Sequence, residues 1–166
     1  MTDTIILGVD PGLSGALAFY NLVDGVVRVE DMPVVELMRG GKAKREVSAT
    51  LLRHVLPRYG KISHAYLERV GAMPGQGVSS VFSFGRSVGV VEGVLAAFDV
   101  PVTLVPPAVW MKAMGVRAGK DGSRERAMQI FPGQSDLFSR KKDDGRSDAA
   151  LIAAYGRMIT LLGGAT

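Results

Sequence analysis

The chain's 16 acidic residues, two histidines and complete lack of cysteine bound the chemistry open to it. Without cysteine there are no disulfide staples and no thiolate-ligated zinc or iron–sulfur centres. His54 and His64 alone do not make a histidine-rich metal site. A metal bound here is held by oxygen, which favours Mg2+, with Mn2+ able to substitute. Four carboxylates have the placement for that role: Asp10, Glu68, Asp144 and Asp148, with Asp143 as an alternative to Asp144.

Asp10 ends the apolar run TIILGVD, and Glu68 lies near the end of HAYLERV. Both runs read as buried strands. Ligands gather outside the carboxyl ends of parallel strands in open α/β sheets, so two such carboxylates converge when the strands are neighbours. The ordinary alternative is a strand-end acid that caps a helix or faces water.

Asp144 and Asp148 sit at the start of the last helix, on the stripe continued by Leu151, Ile152, Tyr155, Ile159 and Leu162. A helix that buries this stripe turns both carboxylates toward the sheet. The helix N-terminus offsets part of the cost of burying them, but like charges four residues apart repel. A shared divalent cation would relieve that repulsion. The alternative is a solvated Asp144 N-cap, with Asp148 paired to Arg146 or Lys142. Four carboxylates without histidine or cysteine suit two-metal phosphodiester hydrolysis, in which the cations stand about 3.5–4 Å apart.

The elements that must position these groups follow from periodicity. Three strands open the chain, at 4–10, 15–22 and 26–30, with Asp24-Gly25 as a hairpin turn. Residues 38–46, MRGGKAKRE, read as a glycine-rich basic loop. A helix capped by Ser48 runs to about Tyr59, with Leu51, Leu52, Val55 and Leu56 on one face. A fourth strand spans 64–70, a long helix capped by Ser79 reaches Phe98, and a fifth strand spans 101–105. Short helices begin at Pro107 and Asp121, and the last helix covers 144–162. This order predicts an α/β domain spanning residues 1–166. Its mixed five-stranded sheet combines a three-strand antiparallel meander with two parallel strands, and helices cover both faces.

Hydrophobic residues at 47% argue against a disordered chain, and a net charge of +4 is compatible with a polyanionic partner. No basic, apolar leader opens the chain. The apolar stretch 88–105 is interrupted by Glu92, Asp99 and Pro101, so no membrane span is expected.

Four segments resemble the RuvC-type Holliday junction resolvases, and more closely their phage-encoded relatives: ILGVDPGLSGALAF, YLERVGAMPGQGVSSVFSFGRSVG, VPPAVWMKAMG and KKDDGRSDAALIAAYG. The resemblance implies a ribonuclease-H-like fold, a homodimer, Mg2+ dependence, and symmetric nicking of four-way junctions, with forks and flaps as further branched substrates. It also implies a location in the cytoplasm, or in the cytoplasm or nucleoid of a bacterial host for a phage-encoded protein. It matches Asp10, Glu68 and Asp148 to metal ligands, and Lys112 in WMK to a basic residue that supports catalysis by binding phosphate. Several resolvases place the remaining ligand three residues before the last aspartate, where this chain has Gly145. Asp144, on the buried face, is the preferred substitute. Many cellular relatives carry an aromatic wedge just after the glutamate, where this chain has Gly71-Ala72-Met73 and Met73 is the available substitute.

Basic residues cluster at Arg39, Lys42, Lys44 and Arg45, and again from Lys112 to Arg146, where nine Lys or Arg face five Asp or Glu. Each cluster reads either as a phosphate-binding surface or as a solvated face. Gly85, Gly89 and Gly93 recur every four residues in the long helix. Glycine there costs about 1 kcal/mol relative to alanine, which points to close helix approach, within the chain or in a dimer. Rival readings are an actin- or sugar-kinase-like nucleotide binder, a non-catalytic branch-binding protein, and another ribonuclease-H-like nuclease. The first needs two such domains around its nucleotide.

Overall fold

The computed structural model describes residues 4–71 and 75–163. Strands β1 (Thr4–Asp10), β2 (Ala16–Asn21) and β3 (Val27–Asp31) form an antiparallel meander. A hairpin of β4 (Val34–Arg39) and β5 (Lys42–Val47) follows, then helix α1 (Ala49–Val55) and strand β6 (Lys61–Glu68). Helix α2 (Val78–Ala97) leads to β7 (Val102–Val105), α3 (Pro107–Met114), α4 (Gly122–Ile130) and α5 (Asp144–Gly163). The main sheet has the order β3-β2-β1-β6-β7, with β6 parallel to both β1 and β7. This is the expected mixed five-stranded sheet.

Side-chain alternation divides two cores across the sheet. Ile6, Ala18, Tyr20 and Tyr66 pack against α5, Trp110 and Phe138 on one face. Ile5, Leu7, Leu17, Phe19 and Leu67 pack against Leu52 of α1 and Val91 and Leu95 of α2 on the other. Asp10 follows Ile6 and Gly8 in the alternation, and Glu68 follows Tyr66. Both acids therefore belong to the α5 face.

Gly8 decides how closely α5 can lie. A Cβ at Gly8 would stand 2.1 Å from the Ala149 carbonyl oxygen and 2.4 Å from the Ala153 nitrogen. The run Ala149 to Ala153 is fully buried. Small residues on the helix and none on the strand let the two backbones touch, which brings the first turns of α5 down to the ends of β1 and β6.

Several local expectations are corrected. The basic segment 38–46 is part of the β4–β5 hairpin, paired from Val34↔Val47 to Arg39↔Lys42, with Gly40 and Gly41 at positive φ in the turn. Period-2 alternation was hidden because most of the hairpin is solvent-exposed and apolar and charged residues share both of its faces. The α1 cap is Ser48, whose side chain accepts the Leu51 N–H; the α-helix ends at Val55 and a 3-10 segment, Leu56–Tyr59, carries the helical course to the expected end, but Leu51 is exposed. The N-cap of α2 is Gly77, not Ser79. β6 starts at Lys61 and ends at Glu68, ahead of the expected 64–70. The apolar stripe of α5 is buried at Leu151 and Ile152 but exposed at Ile159 and Leu162, where the helix runs past the sheet.

Candidate functional site

In the parallel register Val9 pairs with Leu67, so Asp10 and Glu68 are the next residues on adjacent strands, at the same sheet edge and on the same face. Neighbouring strands lie about 4.8 Å apart. Asp148, one residue before the Ala149 that lies on Gly8, completes the group from above. The three carboxylates feel one another. Glu68 is pushed up to about 7 by burial first, then by the charges of Asp10 and Asp148, against the Trp110 hydrogen bond. Asp148 is pushed up to about 6 by burial, then by Asp10 and Asp144, while a hydrogen bond from Ser123 opposes the rise. Burial also raises Asp10, partly countered by the Gly12 N–H, which donates to Asp10 Oδ1 at 3.1 Å.

Two observations make this donor set fit a hard divalent cation. Asp148 Oδ1 is buried without a hydrogen-bond partner, and a buried acceptor left unsatisfied is costly. The group also has only oxygen donors, whose negative charges disfavour one another. Among the described residues, no three acidic or histidine side chains are already gathered tightly enough to hold a metal ion as they stand. The carboxylates are neighbours poised around a space, not a closed cage.

No family model matches the sequence. The curated Holliday junction resolvase MOC1, chloroplastic, of Chlamydomonas reinhardtii is 32% identical over 117 residues, covering 67% of this chain. The chain spans only 13% of that relative's length. A solved structure of T. thermophilus RuvC in complex with a Holliday junction substrate superposes with a TM-score of 0.60 at 15% identity, covering 93% of this chain and 96% of that one. A second Thermus thermophilus RuvC structure gives 0.56 at 16% identity, covering 94% and 97%. The chain has the RuvC-type resolvase fold.

Against that RuvC-type frame, the segment 143–145 is sorted by packing. Gly145 lies against the loop after Asp10: a Cβ there would be 2.3 Å from the Ser14 carbonyl oxygen and 2.8 Å from the Gly15 Cα. No side chain fits at the position several resolvases use. Asp143 is 1% exposed, and its carboxylate accepts from the Arg140 backbone N–H at 2.9 Å and from Arg140 Nη2 at 2.8 Å. Burial raises its pKa, but the Arg140 bonds outweigh this and hold it below the usual carboxylate range. Asp143 thus serves as a structural anchor ahead of α5. Asp144 stands one helical turn before Asp148 and adds to the charge that Asp148 feels. It forms an ion pair with Arg124, with Nε 3.0 Å from Oδ1. Neither alternative partner considered for Asp148 pairs with it among the described residues: Arg146 pairs with Asp31 at 2.6 Å, and Lys142 is exposed and forms no ion pair.

Lys112 is exposed on α3 and makes no ion pair among the described residues. It lies two residues from Trp110, about 200° around the helix, so no contact brings it to the carboxylates. The region holding Ala72 and Met73, considered for a wedge, lies outside the described residues.

Three contributors escaped the sequence reading. Trp110, 1% exposed, donates from Nε1 to Glu68 Oε1 at 3.1 Å. Ser123 hydrogen-bonds to Asp148. Arg124 joins Asp144 to Asp121. A signal was available only for Trp110: the chain's one tryptophan, inside a quoted motif, needs a partner for its N–H when buried. Ser123 and Arg124 lie in a charged stretch whose periodicity does not say which side chains turn inward.

Proposed function

We propose that this chain is a divalent-metal-dependent endodeoxyribonuclease that resolves Holliday junctions and other branched DNA. The observation that carries the proposal is the meeting of Asp10, Glu68 and Asp148 at one sheet edge, in a RuvC-type fold whose matched relatives are a named resolvase and a RuvC solved with a junction substrate.

Asp10, Glu68 and Asp148 would hold the metal, with Asp144 as the fourth ligand once drawn from Arg124. Two divalent cations held there, Mg2+ or Mn2+, would supply Lewis-acid activation of a water and charge stabilisation for a leaving 3′-oxygen. The chain's own residues orient this centre. The Gly12 N–H fixes Asp10 and the Trp110 indole fixes Glu68. Ser123 holds one side of Asp148, and its buried, unpartnered Oδ1 is left for the cation. Lys112, Lys120 and Lys142 are exposed cations available to DNA phosphates.

Two symmetric nicks need two active sites, which favours a homodimer. Helix α2 is the candidate interface. Val78 and Phe82 on it are 86% and 72% exposed. A Cβ at Gly85, Gly89 or Gly93 would meet nothing within 4 Å among the described residues, so no close approach within the chain explains these glycines. By length and composition alone α2 could cross a membrane. Its Arg86–Glu46 ion pair at 3.0 Å and its packing on the sheet through Val91 and Leu95 suit a helix that covers a soluble core and meets a partner copy.

The test compares cleavage of a four-way junction, a Y-fork, a flap and a linear duplex in Mg2+, Mn2+ or EDTA. Cleavage of branched substrates with either ion, lost in EDTA, is expected. Equal cutting of linear duplex would remove branch selectivity, and binding without cleavage would leave a non-catalytic branch-binding protein.

A further inference from the structure

The β4–β5 hairpin lies beside the first half of α2, and the two elements enclose a groove of about 510 Å³. One wall carries Lys44 and Arg45 of β5. The other carries the exposed Ser79, Ser80 and Ser83, with Ser87 buried behind them and its hydroxyl donating to the Ser83 carbonyl at 3.1 Å; Ser79 and Ser83, four residues apart, share one face of α2. An adjoining hollow adds Arg39 and Arg86. The acid within these walls, Glu46, is neutralised twice, by Arg39 at 3.2 Å and Arg86 at 3.0 Å. The hairpin's other acid, Glu36, stands opposite Arg45 in the register and forms no ion pair with it among the described residues. Lys42 and Lys44 are exposed and likewise have no carboxylate partner.

The groove borders the turn that follows Asp10, on the α2 side of the sheet. Leu13, in the turn that follows Asp10, lines it, and Arg45 Nη2 donates to the Leu13 carbonyl at 3.2 Å. Lysine and arginine along one wall and serine hydroxyls along the other are the groups that bind phosphate and sugar oxygens without reading bases. We infer that this groove binds the sugar–phosphate backbone of a DNA strand leaving the cleavage site, with Lys44 and Arg45 against its phosphates and the serine face of α2 donating hydrogen bonds to them. The hairpin is thereby a DNA-positioning arm and not a passive edge. The inference rests on the nuclease reading above and specifies a surface for it.

The test uses the Asp10→Asn protein, so that strands stay intact, and a fluorescent four-way junction titrated at several salt concentrations. Removing one phosphate contact lowers the slope of log affinity against log salt by about 1. Lys44→Ala should do so, and Ser79→Glu with Ser83→Glu should weaken binding further. Lys61→Ala, an exposed cation at the far end of β6, should leave the slope unchanged. Because the chain has no cysteine, Ser83→Cys and Lys61→Cys each give a single thiol. Junction DNA should slow maleimide labelling of the first and not of the second. If the Asp10→Asn protein binds the junction but Lys44→Ala keeps the parent slope and Ser83→Cys stays unprotected, the groove inference is overturned and the nuclease reading stands. If that protein binds no branched DNA at all, both fall together.

Discussion

Asp143 and Asp144 are adjacent and chemically identical, yet their surroundings differ: Arg140 holds the first and Arg124 pairs with the second. Asp143 has given both oxygens to Arg140 and is buried. Asp143→Asn should cost about 1–3 kcal/mol of stability, seen as a lower Tm, while folded protein still cleaves. Asp144→Asn should keep its Tm and lose most cleavage, as should Asp10→Asn, Glu68→Gln and Asp148→Asn. Full activity in Asp144→Asn with loss in Asp143→Asn would reverse the assignment. Trp110→Phe keeps the packing but removes the indole donor to Glu68. The Mg2+ concentration for half-maximal cleavage should rise severalfold. An unchanged Mg2+ response would show that the indole does not position Glu68. The raised carboxylates also predict a pH dependence. Glu68 near 7 and Asp148 near 6 bind protons more tightly folded than unfolded. Without metal, their protonation therefore stabilises the fold at low pH, and that contribution is lost as pH rises through about 6 to 7. Mg2+ should then raise Tm more at pH 8 than at pH 5.5. Equal shifts at both pH values would argue that the ion binds elsewhere.

At the level of elements, close contact between backbones sets the site. α5 reaches the sheet because Gly8 and the alanine run leave nothing between them, and it reaches the turn after Asp10 because Gly145 has no Cβ. Restoring the ligand position used by several relatives, Gly145→Asp, should lower Tm by the equivalent of about 1–3 kcal/mol or more, through overpacking against Ser14. It should also reduce cleavage by lifting Asp148 away from Asp10. A Gly145→Asp protein with parent stability and activity would mean that this contact is not tight in solution. The missing acid at 145 is thus tied to how closely the loop after β1 approaches α5.

For the molecule as a whole, the exposed apolar face of α2 is the feature that the chain's own packing leaves unexplained. Gly89→Leu fills an open surface within the chain, so the protomer should fold with a nearly unchanged Tm. It should block close approach of a second copy, so the proposed interface predicts dimers for the parent and monomers for this variant in sedimentation. A variant that remains dimeric would move the interface elsewhere. Two protomers would also place two carboxylate sites on one DNA junction, which is what paired nicking requires.

The five-stranded sheet, its meander and parallel strands, and the placement of Asp10 and Glu68 at strand ends were legible in the sequence. Buried strands are apolar runs and turns are marked by Pro and Gly, both local properties of the chain. The start of α5 was legible too, because a 3.6-residue stripe shows which face is buried. The β4–β5 hairpin was not, since strands exposed along most of their length carry no burial pattern. Periodicity expected Asp144 and Asp148 on one buried face, but the fold leaves the Asp144 side chain half-exposed and paired with Arg124, while Arg140 occupies Asp143 and Ser14 and Gly15 fill the space a side chain at 145 would need. Likewise the sequence marked four carboxylates as metal-ligand candidates, but only the fold brought Trp110 and Ser123 to them. Those contacts join residues distant along the chain, and neither composition nor spacing carries that information.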